Sequence, residues 1–326
     1  MQLLVHGGAG SEPDEPEPRA AVLERAAEAG AEHSSPVDAV EAAVNVLESS
    51  PRFNAGVGGA VQSDGEVRTD AGIMTDDRSV GAACSMPGVE HAVSVARVVM
   101  EETPHGFVSA DHAVSLAEAF DIETGVDLWA DRTREQWADL EPPTGGTMAE
   151  LEWIRERYGN ADPGGRESDA ESGADSERAS TTDTDVHDHD NAERGPASRD
   201  PRDHDTVGAV AIDGDALAAA TSTGGRWLAL AGRVGDVPQV GSGFYCSPAA
   251  AVSATGAGED IARVTLSRRV ASHVERGLDA QTAAETAIEE FAELTGSSAG
   301  VITVDAAGRL GSAYNSGAMQ TARAER

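Results

Sequence analysis

The chain has 326 residues, enough to bury a core, and sets 24 basic side chains against 57 acidic ones for a formal net charge of -33. No basic residue is a lysine, which excludes chemistry built on a catalytic lysine. So acidic a surface also repels phosphate backbones and anionic head groups, which argues against nucleic acid and membranes as partners.

The acids are spread along the whole sequence, a pattern suited to hydration in concentrated salt, where screening shortens self-repulsion to roughly 3 Å at 1 M. Cys84 and Cys246 sit in no CxxC pair and build no disulfide framework, so a reducing, cytoplasmic setting is expected. The opening "MQLLVHGGAG" lacks a basic n-region, and no stretch approaches the roughly 18 apolar residues of a membrane helix.

Gln2 to Val5 reads as a short buried strand running into a glycine loop, "HGGAG", His6 to Gly10. That loop lacks both the Walker lysine and the GxGxxG spacing, so it marks a close backbone approach and not a nucleotide site. An alanine-rich amphipathic helix is predicted around Arg19 to Glu32. The next helix has Ser35 as N-cap, Pro36 at its first position and Asp38 in its first turn, with Val37, Val40, Val44 and Leu47 at helical spacing.

In "FNAGVGGAVQSDGEVRTDAGIM" two apolar runs flank Asp64-Gly65 and predict a hairpin. The pattern recurs in "VGAVAIDGDALAAATS" around Asp213-Gly214, and more loosely in "AGVITVDAAGRLGSAYNSG". Helical patterns intervene at "EHAVSVARVVMEE", "ADHAVSLAEAF", "EDIARVTLSRRVASHVERGL" and "TAAETAIEEFAELTG". The last of these places Ala284, Ile288, Phe291 and Leu294 on one face. Helices flanking two groups of strands indicate an α/β or α+β layered architecture, its sheets largely antiparallel.

Residues 159–205 contain no Leu, Ile, Met, Phe, Tyr or Trp and are dominated by Asp, Glu, Ser, Thr, Gly and Arg. Such a segment buries too little apolar surface to offset its ordering entropy, which predicts a disordered acidic linker. Its histidines His187, His189 and His204 lie among carboxylates, but a solvated run offers no fixed geometry, so only a weak, adventitious metal site is expected there.

The linker ends at Thr206, where "RDHDTVGAVAIDGD" turns abruptly into a buried strand. Were the chain cut before it, Thr206 would carry a free α-amine placed to take the proton of its own hydroxyl. Alone, a threonine at such a border reads as an ordinary strand residue or cap, and only the surrounding motifs favour a nucleophile.

The ordered set "VHGGAG", "FNAGVGGAV", "TDAGIM", "MEETPH", "HDTVGAV", "TSTGG", "GRVGD" and "SATGAGE" resembles the N-terminal-nucleophile asparaginases, in particular the plant-type L-asparaginase/isoaspartyl peptidase branch. The resemblance covers nearly the whole chain outside the linker. It implies one α+β domain over 1–326, an αββα four-layer sandwich that cuts itself between Asp205 and Thr206. An α chain (1–205) and a β chain (206–326) would result, with Thr206 as nucleophile.

By the same resemblance Thr223 tunes the nucleophile, and Thr255 with Gly256 supplies the oxyanion donors. Asn54 lines the site, while Arg233 and Asp236 hold the substrate's α-carboxylate and α-amine. The turn from Leu47 to Phe53 resembles a family loop whose backbone carbonyls, those of Leu47, Glu48 and Phe53, hold a structural sodium ion. No cofactor is required. The substrate would be a small molecule, L-asparagine or a β-aspartyl dipeptide, and the family form is an (αβ)₂ homodimer.

Some segments depart from the branch: Asp205 stands where glycine is usual, "MTDDRS" replaces "MDG", and "GRWLALAGR" differs before Arg233. These bear on substrate preference. Two alternatives therefore stay open: a glycosylasparaginase, to which "HDT" is closer, and a non-catalytic acidic binding protein with a degenerate site.

Overall fold

A computed structural model describes residues 1–158 and 206–326. The expected linker disorder, the histidines His187, His189 and His204, and Asp205 fall outside the described residues.

The first part of the chain runs through β1 (Gln2–Gly10), α1 (Pro16–Ala31), α2 (Pro36–Glu48), β2 (Arg68–Thr75), β3 (Val80–Pro87), α3 (Ala92–Glu102), β4 (Phe107–Ser109), α4 (Ala110–Ala119), α5 (Asp131–Ala138) and α6 (Thr147–Tyr158). From Thr206 onward come β5 (Val207–Asp213), β6 (Ala216–Thr223), β7 (Phe244–Ser247), β8 (Ala250–Gly256), α7 (Gly258–Val264), α8 (Leu266–Glu275), α9 (Ala280–Thr295), β9 (Ala299–Asp305), β10 (Leu310–Tyr314) and β11 (Ala318–Glu325).

The strands form a seven-stranded sheet, ordered β11-β1-β5-β6-β2-β3-β4, and a four-stranded sheet, ordered β10-β9-β8-β7. Pairing is antiparallel except between β3 and β4. Three apolar cores define the layers. Val22, Leu23, Val40, Val44 and Leu47 pack the first helices onto the large sheet. Leu4, Met74, Val210, Phe244, Ile302 and Val304 fill the space between the sheets. Val270, Ala284, Ile288 and Phe291 cover the far side of the small sheet. The expected αββα sandwich is the observed one.

Alternation along the strands decides which side chains face inward, since successive residues point to opposite faces. On β6, Leu217 and Ala219 enter the core between the sheets, whereas Ala218 and Ala220 face the helices. Gly72 on β2 sits where an added Cβ would meet the Phe244 ring of the facing sheet. Gly208 on β5 has Ser253 of β8 and His6 Nε2 in the same position, the latter at 2.6 Å. Both glycines are thus required by a close approach between the layers.

The second helix begins as predicted, with Ser35 Oγ accepting from the Asp38 amide at 3.3 Å, a cap worth about 1 kcal/mol. The turns at Asp213-Gly214 and after Asp305 join paired strands. Other expectations need correction. The "HGGAG" segment is no loop: it completes β1, with a register shift between His6 and Ala9 that absorbs Gly8 at φ 107°.

The first arm of the "FNAG" hairpin is not a strand and pairs only as an isolated bridge, Val61 with Val67. The long helix after Gly258 is broken in two at Thr265, a left-handed residue with φ 50°. Leu294 is 55% exposed and off the buried face of α9, whose inward positions are Ala280, Ala283, Ala284, Ala287, Ile288 and Phe291. Among the described residues no helix is long and apolar enough to cross a membrane.

Candidate active site

Three neighbouring strands bring one row of polar side chains to the end of the large sheet that faces its partner. Val207 pairs with Ser222, so Thr206 lies opposite Thr223, and Thr223 in turn pairs with Asp70 on β2. Directly opposed residues share a face, so Thr206, Thr223 and Asp70 look toward the small sheet. Thr206 is only 6% exposed and its Oγ1 lies 3.3 Å from Thr223 Oγ1. Thr223 Oγ1 also accepts from the Gly225 amide at 3.1 Å and lies 3.4 Å from the Asn54 carbonyl.

Asn54 fixes the rim of this row. Its Oδ1 accepts from the Ala60 amide at 2.7 Å, its Nδ2 donates to the Gly225 carbonyl at 2.6 Å, and its own carbonyl accepts from the Gly224 amide at 2.9 Å. The loop after Phe53 and the turn after Thr223 are therefore held together by one asparagine.

Thr255 and Gly256 arrive from the facing sheet at the end of β8, which packs against β5 and β6. Thr255 is fully buried, and its Oγ1 accepts from the Ala9 amide at 3.4 Å. Gly256 has φ 139°, and an added Cβ would come within 2.5 Å of the Ser298 carbonyl oxygen, so only glycine fits there.

Arg233 and Asp236 form the next group. The guanidinium donates through Nε to Glu259 Oε1 at 2.8 Å, with Nη2 also 2.8 Å from that oxygen. Asp236 and Arg233 meet over Gly258, where an added Cβ would lie 2.6 Å from Asp236 Oδ1 and 3.0 Å from Arg233 Nη2. Burial pushes Asp236 up to about 7 although Arg233 opposes the shift, and its Oδ2 is a buried atom without a hydrogen-bond partner. Burial also works against ionised Glu259, but the bonds from Arg233 outweigh it and hold that carboxyl well below its usual range.

Behind the nucleophile a polar chain crosses between the sheets. His6 Nε2 is 2.9 Å from Ser253 Oγ, which lies 2.6 Å from Thr221 Oγ1, and Thr221 donates to the Gly243 carbonyl at 3.0 Å. His6 Nδ1 accepts from the Gly8 amide at 3.3 Å, which leaves the ring proton on Nε2. Burial drives the imidazole down to about 3, against a hydrogen bond to the Thr206 backbone that favours the charged form. His6 is therefore a neutral donor at any working pH.

The loop expected to hold an ion is anchored by the buried carboxyl of Glu48. Its Oε1 accepts from Ser222 Oγ at 2.5 Å and from the Val93 amide at 3.1 Å, while Oε2 is buried without a partner. Burial raises this carboxyl to about 8, against the two hydrogen bonds. Around it the Glu48 carbonyl accepts from the Val57 amide at 2.8 Å. Arg132 reaches the Pro51, Phe53 and Gly58 carbonyls, the last at 2.8 Å. Among the described residues no group of His, Cys, Asp and Glu side chains is placed to hold a metal ion.

The sequence reading did not name the residues that brace these positions: His6, Ser253, Glu48 as a side chain, Ser222, Asp70 and Glu259. Glu48 was legible in one respect, since it follows Val40 and Val44 at four-residue spacing and so falls on the buried face of α2. The others carry no signal in spacing, because their partners lie on distant strands.

A family model described as Asparaginase (Asparaginase_2) matches residues 1–326. A plant-type L-asparaginase of Pyrococcus abyssi is 34% identical, covering 97% of this chain and 93% of the relative, and one of Pyrobaculum calidifontis is 37% identical with 97% and 94% covered. An isoaspartyl peptidase/L-asparaginase of Bos taurus is 34% identical over 99% of this chain and 92% of its own. These matches favour neither the glycosylasparaginase nor the non-catalytic alternative.

Proposed function

The chain belongs to the Asparaginase_2 family, and from that premise we propose that it is an autocleaving amidohydrolase acting on the side-chain amide of L-asparagine, on β-aspartyl dipeptides, or on both, with release of L-aspartate. The backbone is cut between Asp205 and Thr206, giving an α chain of 1–205 and a β chain of 206–326. The single observation that carries the reading is the buried Thr206 hydroxyl, 3.3 Å from Thr223, at the residue immediately before strand β5.

Thr206 Oγ attacks the substrate's side-chain carbonyl while the freed α-amine of the same residue accepts the hydroxyl proton. The Thr255 hydroxyl and the Gly256 amide stabilise the oxyanion, each such donor being worth about 2.7 to 4 kcal/mol of barrier. Collapse expels ammonia or the leaving amino acid, which takes the proton from the Thr206 amine. Water then adds to the threonyl ester and frees aspartate. Arg233 takes the α-carboxylate, a guanidinium matching that group in geometry and charge, and Asp236 takes the α-ammonium.

A sodium ion at the Leu47–Phe53 loop fits the donor set, because carbonyl oxygens suit a hard cation and Glu48 Oε2 beside the loop is buried without a hydrogen-bond partner. The carbonyls of Leu47, Glu48 and Phe53 would hold it, and it would supply rigidity and charge balance to the loop and no reacting group. A cytoplasmic location and an (αβ)₂ dimer complete the reading; gel filtration of the cleaved protein tests the dimer.

Changing Thr206 to alanine tests the central claim. The expected product is one uncut chain that releases no aspartate from L-asparagine or β-aspartyl-leucine, against two bands and activity in the parent. A Thr206→Ala protein that still cuts or still turns over would sink the proposal.

A further inference from the structure

Asp70 stands in the same inward-facing row as Thr206 and Thr223, paired with Thr223 across β2 and β6. Strands lie about 4.8 Å apart, so its backbone is only two strand spacings, ~10 Å, from that of the nucleophile. A side chain reaching from there into the space in front of Thr223 covers the distance between a substrate's reacting carbonyl and its α-substituents.

The local backbone is built to aim this carboxylate. The β2–β3 register shifts between Thr69 and Ala71, so Cys84 and Ser85 together oppose Asp70. Ser85 is left-handed at φ 58°, an uncommon conformation for a residue with a Cβ. In that conformation its amide donates to Asp70 Oδ1 at 2.7 Å. Bulges of this kind re-aim side chains beside functional sites. Asp70 is nonetheless 3% exposed, and among the described residues no salt bridge is made to it.

The charges around Arg233 are unbalanced in the direction that calls for a cation. Glu259 already pairs with the guanidinium and also lies in the field of Arg226, so that Asp236 and Asp70, two further buried carboxyls, leave three acidic groups against two arginines. Asp236 Oδ2 is buried without any hydrogen-bond donor. Buried anions of this kind are retained where a partner charge arrives.

We propose that Asp70 is a specificity-determining residue, forming with Asp236 a two-carboxylate pocket that selects substrates with a free α-ammonium. Arg233, braced by Glu259, takes the α-carboxylate on the other side. This rests on the amidohydrolase reading above. A site built to bond a charged group rejects an analogue lacking that group far more strongly than an apolar pocket rejects a lost methylene.

The test compares L-asparagine with succinamate, its analogue without the α-amine, on the cleaved wild-type enzyme and on Asp70→Asn. Wild type is expected to favour L-asparagine at least a hundredfold in kcat/KM. In Asp70→Asn that ratio is expected to fall at least tenfold, mainly through a higher KM for L-asparagine. A ratio unchanged within twofold overturns the proposal, and so does an equal loss on both substrates, which a merely structural residue would give. If Asp70→Asn stays uncut, the wild-type ratio decides instead: discrimination below tenfold overturns the proposal. A wild-type enzyme that hydrolyses neither L-asparagine nor β-aspartyl-leucine overturns the amidohydrolase reading along with it, which separates the two failures.

Discussion

Glu48 Oε1 accepts a hydrogen bond from Ser222 Oγ at 2.5 Å, which ties the end of α2 to the residue just before Thr223. The loop that follows Glu48 and the strand that presents Thr223 are therefore one mechanical unit, fastened by a carboxyl that is fully buried.

That burial makes stability depend on pH and on cations. Glu48 titrates at about 8 in the folded chain against 4.5 ordinarily, so between those values the folded state keeps a proton that the unfolded state has lost. Stability therefore falls as pH rises from about 4.5 to 8, by up to about 1.4 kcal/mol per unit for this group. A sodium ion at the loop favours the ionised carboxyl and flattens the slope. Thermal melts at pH 5 to 8 should decline more steeply in choline chloride than in sodium chloride of equal ionic strength. Glu48→Gln should lose both the Glu48 share of the slope and the sodium effect; an unaltered sodium effect in that variant would disprove the link.

Gly224 closes the site from the opposite side. An added Cβ would run into the Gly59 backbone and stand 2.7 Å from Asn54 Oδ1 and 2.9 Å from the Ala60 amide nitrogen. Backbone on two sides leaves nothing soft to yield, so Gly224→Ala must push Asn54 out of its bonds. We expect a loss of about 1 to 3 kcal/mol in stability and at least a tenfold drop in kcat. Wild-type turnover with an unshifted Tm would show that the contact does not matter.

His6 offers a sharper separation of structure from chemistry. Replacing it with leucine leaves Ser253 Oγ short of a donor, at a cost of about 1 to 3 kcal/mol, and frees the Thr206 backbone. His6→Leu should lower kcat at least tenfold with little change in KM, and His6→Gln, which keeps an N–H at similar reach, should recover most of it. Because the imidazole stays neutral above about pH 3, the pH profile of His6→Gln should superimpose on that of wild type. A displaced limb would mean that His6 titrates during turnover.

The sequence made the ends of these arguments visible and hid their middles. Capping at Ser35 and the turns at Asp213-Gly214 and in "DAAGRL" are local, so composition and spacing reveal them. Layers of helix and largely antiparallel sheet follow from helices alternating with hairpins of small residues, whereas the αββα order was implied only by the family resemblance. What failed was governed by contacts distant in sequence. The "HGGAG" segment reads as a loop because glycines break local patterns, yet β5 and β11 on either side hold it as strand. Val61 finds a single bridge where a strand was predicted, because Gln62 and Ser63 turn instead to the loop carrying Arg233. Asp70 reads as an ordinary polar residue in "TDAG", and only its pairing with Thr223 gives it a position.

Binding of the α-ammonium should itself carry a pH signature. Burial pushes Asp236 up to about 7, with Arg233 opposing the shift and Asp70 adding to it, and pushes Asp70 up to about 6 against the Ser85 amide and Arg233. Two coupled carboxyls titrate as a pair, so free enzyme takes up protons as pH falls through the range between about 7 and 6. A protonated pair offers the ammonium no charge, so KM for L-asparagine should rise on that descent, approaching tenfold per unit below it. Once bound, the ammonium holds the pair ionised, so kcat should not share this limb. The Thr206 amine, ordinarily near 7.7 to 8.0, is needed in its neutral form for attack and so depresses kcat on acidification. KM and kcat thus report different groups. Measuring both for L-asparagine from pH 5 to 9, in wild type and in Asp236→Asn, should give a KM that climbs toward acid from about pH 7 in the first, and in the second a high KM that is flat above about pH 6 and climbs only where Asp70 takes its proton. A wild-type KM independent of pH across 6 to 7 would remove Asp236 and Asp70 from ammonium recognition.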